Sequence, residues 1–331
     1  MTNPRVLFIG GTGIISSACV AEAVSLGFDV TVLNRGINSY RPIPEGVKVL
    51  IADLEDDRAV ADALAGLSFD AVADFFSFTP DRLERNVAVL GDRVGQYIFI
   101  SSASAYHKPV LSLPITESTP LRNDFWQYSR DKIACEEYLT TLWRQQGYPV
   151  TIVRPSHTYD GFLMPLFGDW TQIIRARSGK PIVIPGDGTS LWTLTHSSDF
   201  AYMFAGLIAH PQAIGEVYQI TGDEVLTWNA IATILAEAAG VPTPQLIHIA
   251  SETIARLFPD EGPGLLGDKA HCVTFDCSKV RALRPGFAQK VPFWKGARQI
   301  VDTHDAHPAL GALNPAMDAA LTHLSTWATH P

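Results

Sequence analysis

In the stretch FWQYSRDKIACEEYLTTLW, residues 125–143, Tyr128 and Lys132 stand four residues apart at the head of a segment with helical patterning. One helical turn puts both side chains on the same face. A phenol with a pKa of about 10 is a poor base at neutral pH, and a neighbouring ammonium favours its phenolate, so such a pair could move a proton. The same spacing also arises on any amphipathic helix, with the ring half-buried and the ammonium in water. Other stretches bear on the choice.

FIGGTGIISS follows an apolar run and opens a second helical segment. Gly10 permits a tight turn there and Gly13 lets the backbone approach a pyrophosphate. Thr12, Ile14 and Ile15 flank that approach, where a helix N-terminus offers N–H donors and a partial positive charge. Ser16 occupies the place of a third glycine, and its hydroxymethyl group is expected to loosen helix–strand packing slightly. Further on, NRG reads as a strand end. An acidic residue there suits a ribose 2′-hydroxyl, whereas Arg35, beside Asn34, could pair with a 2′-phosphate and tilts the cofactor towards NADP. Arg35 could equally cover an adenine face or point into water. Asp53 and Leu54 fit a turn over the adenine, though DLEDDRAVADAL also reads as a capped helix start with Asp53 as its acid. ISSASAY sets Ser101 and Ser102 at another strand end, Ser102 lying 26 residues before Tyr128.

These residues need a parallel sheet to bring them together. Short β-branched runs at 5–10, 29–34, 47–53, 70–75, 96–101 and 150–155 alternate with helical segments at 14–26, 81–90 and around Tyr128. The runs are continuously apolar, as strands covered on both faces require. The fold class expected is α/β, a doubly wound parallel sheet, with residues 1–155 as a dinucleotide-binding domain. Past residue 155 Pro and Gly become frequent. Segment 185–225, with a strand at 216–221, should return to the main sheet, while 156–184 and 226–331 form a smaller substrate lobe with helices near 228–240 and 251–258.

The chain has 331 residues, 47% of them hydrophobic, enough for a large core. A net charge of −9 with no long basic run disfavours nucleic acid and anionic membranes as partners. Cys19, Cys135, Cys272 and Cys277 form no framework, which fits a reduced cytoplasm. The ten histidines contain no H-E-x-x-H, so no metal is expected. The apolar stretch VLFIGGTGIIS is broken by glycines and far shorter than the roughly 20 residues of a membrane span.

The glycine turn, Asp53-Leu54, Ser102, Tyr128-x-x-x-Lys132 and the following Arg154-Pro155, in this order, resemble the short-chain dehydrogenase/reductase superfamily, and more narrowly its extended branch of nucleotide-sugar epimerases and dehydratases. The resemblance spans roughly residues 4–300. It implies a Rossmann fold and an NAD(P) cofactor. Tyr128 is then the proton donor or acceptor, Lys132 lowers its pKa and holds the nicotinamide ribose, and Ser102 hydrogen-bonds the reacting oxygen. Ser101 and Phe76 fall on the cofactor side, and Pro155 and Ser156 by the nicotinamide. Ser104, His157, Trp192, His196, Lys269 and His271 become candidates for contact with a sugar or nucleotide sugar. A homodimer through helices near 81–92 and 125–146 is implied as well.

Two departures limit the resemblance. Dehydratases of this branch carry an Asp-Glu pair after the catalytic Ser or Thr, whereas Ala103 and Ser104 follow Ser102, which disfavours elimination. Phe75 and Phe76 in DFFSFTPDRLE, together with NRG, resemble atypical members, some of which have lost catalysis and bind RNA. The leading expectation is an NAD(P)-dependent oxidoreductase or epimerase acting on a secondary alcohol or ketone. The alternative is a non-catalytic nucleotide sensor or RNA-binding protein.

Overall fold

The computed structural model describes residues 3–37 and 40–329. Seven strands form one parallel sheet. They are β1 (Arg5–Ile9), β2 (Asp29–Asn34), β3 (Lys48–Ile51), β4 (Ala71–Asp74), β5 (Tyr97–Ile100), β6 (Val150–Pro155) and the strand Val217–Ile220. Their spatial order is Val217–Ile220, β6, β5, β4, β1, β2, β3, so the winding reverses between β1 and β4. In sheets of this kind ligands bind beyond the carboxyl ends of the strands at that reversal. The doubly wound sheet read from the sequence is present.

The continuous apolar runs have the expected cause. Successive side chains of a strand point to opposite faces. Val6, Phe8, Ile98 and Ile100 therefore pack under α1 (Ile14–Ser25) and the helix Ser197–Ala205. Leu7, Ile9, Tyr97 and Phe99 pack on the other face against α2 (Asp57–Ala63), α3 (Pro80–Leu90) and α4 (Gln127–Gln146). Each large apolar side chain so buried contributes about 1.5–3 kcal/mol. The cap of α2 is Asp56, whose carboxylate accepts from the amides of Arg58 and Ala59 at 3.0 and 3.1 Å. Asp53 instead accepts from Glu55 N–H in the preceding turn.

α4 enters through Asn123, whose Oδ1 accepts from the amides of Phe125 and Trp126, both at 3.1 Å. It stops at Gly147, which has a φ of 69° and so takes the left-handed conformation that ends many helices. The exposed positions of α3 and α4 include Asp81, Glu84, Arg130, Glu137 and Arg144, so the faces suggested for a homodimer are charged. Beyond β6, the helices Trp228–Ala238 and Phe293–Ala306 and the strand pair Ile182–Pro185 with Leu246–Ile249 surround a separate apolar core. Among the described residues no helix is long and apolar enough to cross a membrane.

Candidate active site

β1 delivers the chain to Gly10, whose φ of 81° lies in the left-handed region that only glycine enters readily. A side chain on Gly11 would meet both Val32 methyls at 2.8 Å, so its absence lets α1 settle onto β2. Ser16 does not loosen the turn. It is 1% exposed, and its Oγ accepts from Gly13 N–H at 2.8 Å while donating to the Gly10 carbonyl at 2.7 Å. The initial amides of a helix have no acceptor within it. Ile14 and Ile15 therefore present N–H groups at the positive end of the α1 dipole, where a phosphate would be held.

A cavity of about 440 Å³ starts at Gly10, Gly13, Ile14 and Ile15 and runs to Ser102, Tyr128 and Lys132. Parallel strands and the register of α4 bring these distant segments together. Lys132 is 2% exposed, and its ammonium donates to the carbonyls of Ser77 and Ile100, both at 2.7 Å, which leaves one of its three donors. Burial lowers its pKa to about 8. The ammonium lies 5.8 Å from the centre of the Tyr128 ring. Burial holds the Tyr128 phenol above the ordinary tyrosine range, a hydrogen bond from Ser102 opposes this, and the Asp268 carboxylate reinforces it. The lowering expected from Lys132 is not found among these influences, and the raised phenol is protonated at neutral pH. Ser102 Oγ is 2.9 Å from Ser104 Oγ, which accepts from the buried Ser129 hydroxyl at 2.8 Å, so a run of three hydroxyls ends at Tyr128.

The opposite wall carries Pro155, Ser156, His157, Trp192 and Lys269. Ser156 donates to the Thr193 carbonyl at 3.0 Å. His157 is held neutral, because burial lowers its pKa to about 3, with help from the charge of Lys269. The covering segment Gly262–Lys269 is tied down by Asn123, whose Nδ2 donates to the carbonyls of Ser104 at 2.9 Å and Gly267 at 2.7 Å. A side chain on Gly267 would come within 2.9 Å of Asn123 Oδ1, so a glycine is needed for this approach.

Not every residue singled out in the sequence reaches the cavity. Asn34, exposed Arg35, exposed Asp53, buried Leu54 and Thr12 lie outside its lining. Asn34 Oδ1 accepts from Gly36 N–H at 2.9 Å. Phe76 packs against Gly10, while Phe75 and Phe78 line the cavity. Ser101 lines it too, but its hydroxyl is committed to Glu136. His196 is a helix cap: its Nδ1 accepts from Ser198 N–H at 3.2 Å. His271 donates from Nε2 to the Leu266 carbonyl at 2.8 Å, which makes it part of the covering turn. Sequence reasoning missed Trp126, Asp268, Val273 and Phe275, which also line the cavity. Trp126 had a signal, standing two residues before Tyr128; its ring centre lies 4.8 Å from that of Tyr128.

The arrangement fits a dinucleotide. Its phosphates would meet the α1 turn, and its reactive end would reach a phenol, a hydroxyl and a lysine at the edge of the sheet. Residues 83–221 match the model of the NAD dependent epimerase/dehydratase family. The chain is 28% identical over 250 residues to 2′-dehydrokanamycin reductase of Streptomyces kanamyceticus, covering 72% of this chain and 67% of that protein. It is 26% identical over 259 residues to the chloroplast stem-loop binding protein of 41 kDa b of Arabidopsis thaliana, covering 75% and 66%. It therefore spans about two thirds of the length of these relatives. The structure of the epimerase Mth375 from Methanothermobacter thermautotrophicus superposes with a TM-score of 0.75 over 93% of this chain and 94% of that one, at 17% identity, a likeness of fold.

Proposed function

We propose that this chain is a member of the NAD dependent epimerase/dehydratase family and acts as an NAD(P)-dependent oxidoreductase or epimerase on a secondary alcohol or ketone of a sugar or sugar-like substrate. The observation that carries this reading is the single cavity shared by the Gly10–Ile15 turn and by Ser102, Tyr128 and Lys132. The nicotinamide supplies the hydride transfer when bound. The chain's own groups do the rest. Tyr128 exchanges a proton with the reacting oxygen, Ser102 donates a hydrogen bond to it, and the remaining Lys132 donor meets the ribose. Pro155 and Ser156 border the nicotinamide.

A phenol kept protonated by burial suits the proton-donor role of the reductive direction. Exposed Arg35 suits a 2′-phosphate, which favours NADPH in that role. Ala103 and Ser104 leave no acid–base pair after Ser102 for eliminating water. A cytoplasmic protein is the corresponding reading of its location, and a homodimer would have to join the charged faces of α3 and α4.

A second reading, a protein that binds RNA without catalysis, draws support from the stem-loop binding relative. The net charge of −9 and the presence of both Tyr128 and Lys132 in the cavity weigh against it. Mass analysis of the nucleotide that co-purifies tests the main reading. Resident NAD(H) supports an epimerase, and an empty site that takes NADPH supports a reductase. A protein that binds neither, but holds a structured RNA, would establish the second reading.

A further inference from the structure

We propose that Lys269, His157 and Trp192 form a subsite for a single oxyanion, a carboxylate or phosphomonoester borne by the substrate, which is therefore a compact anionic sugar-like molecule and not a nucleoside diphosphate sugar. The inference rests on the reading that Tyr128 and Ser102 mark the reacting end of the cavity.

Trp192 is 1% exposed, lines the cavity, and its indole N–H has no acceptor among the described residues. His157 Nε2 on the same wall is likewise buried and unpartnered. An unsatisfied buried polar group is costly, so two on one wall point to a ligand that completes them. The two rings are neighbours, with centres 6.4 Å apart. Lys269 lines the same wall, close enough for its charge to act on His157. The carboxylate beside it in sequence, Asp268, instead faces the ammonium of fully buried Lys108 at 3.3 Å. Lys269 thus brings a positive charge to two neutral hydrogen-bonding groups, the chemistry that receives one oxyanion.

A diphosphate would be poorly received. Among the described residues no arginine lines the cavity. The adjoining pocket of about 180 Å³ shares His157 and Lys269 with it, and its other charged residues are Asp169 and Glu261. A nucleotide extending past Lys269 would carry its second phosphate towards two carboxylates.

The test is titration of the cofactor-saturated protein with glucose, glucuronate, glucose 6-phosphate and UDP-glucose, following the Trp192 indole N–H resonance assigned through Trp192→Phe. Glucuronate or glucose 6-phosphate should bind about tenfold more tightly than glucose, and the tighter of the two identifies the oxyanion. Lys269→Met should bring anionic and neutral sugars to parity. Lys269→Arg, with cofactor affinity checked as evidence of folding, should keep the preference. UDP-glucose binding more tightly than both anionic sugars, an anionic preference that survives Lys269→Met, or a Trp192 resonance that no sugar moves would each overturn the proposal. Tyr128→Phe should leave the ratio of anionic to neutral sugar affinity unchanged, because every sugar loses the same contact. Anion preference without any hydride transfer would remove the catalytic reading and leave the subsite standing.

Discussion

Arg35 and His157 carry opposite lessons about how far a single residue can be read. Arg35 sits exposed at the end of β2, where its partner would be a 2′-phosphate at the rim of the fold. A charge-assisted pair there contributes about 1.5–3 kcal/mol. Arg35→Ala should therefore weaken NADPH roughly ten- to a hundredfold and leave NADH nearly unchanged; equal affinities in wild type and variant would assign the arginine to solvent. His157 was legible only as a polar candidate, since nothing in RPSHTYDGF reveals that its ring is buried beside Lys269. Its folded pKa of about 3 lies below the ordinary value of 6.5. Between those values the unfolded chain binds the extra proton, so stability is fully present above 6.5 and falls as the pH drops towards 3. The loss is about 1.4 kcal/mol per pH unit for this one group. His157→Asn should flatten that part of the acid limb relative to wild type in urea unfolding at stepped pH, and parallel limbs would contradict the assignment. His196 and His271 show the converse: both looked like ligand contacts, and both spend a ring nitrogen on the backbone.

At the scale of elements, α4 must hold its register if Tyr128 and Lys132 are to face the cavity. The buried pair of Glu136 and Arg154 pins it to β6: Arg154 Nε donates to Glu136 Oε1 at 2.9 Å and Nη2 to Oε2 at 2.5 Å, with the Ser101 hydroxyl adding a third donor. Removing one partner of such a pair strands a buried charge, so Glu136→Ala should cost about 3–5 kcal/mol in denaturant unfolding. Replacing both, as in Glu136→Leu with Arg154→Met, should recover most of it; a double variant as weak as the single would mean that the pair itself sets the packing. The strands and the glycine turn were readable because they depend on local sequence: runs of Val, Ile, Leu and Phe, and glycines at fixed offsets. The pairing of Glu136 with Arg154 was not, since two charged residues 18 apart on a helix and a strand give no sign that both will be buried. The hydrogen bond of Asn123 to Gly267 was hidden for the same reason, joining segments 144 residues apart.

For the whole molecule, the parallel sheet gathers the α1 turn, the Ser102 strand end and α4 at one edge, and the smaller core brings Trp192, Asp268 and Lys269 over them. The first group could be read from motif order. The second depends on how the lobe closes, which no spacing encodes, and Val273 and Phe275 became visible only with it. The central claim is that this gathered site transfers hydride with Tyr128 as the proton group. Its most direct measurement is the single-turnover oxidation of bound reduced nicotinamide by a panel of keto sugars, in wild type and in Tyr128→Phe, alongside cofactor titration. The account predicts turnover in wild type and its loss in Tyr128→Phe with cofactor affinity nearly intact, because the phenol is the proton source and does not touch the phosphate turn. Equal turnover in the two proteins, or a wild type that binds no nicotinamide cofactor, would contradict it.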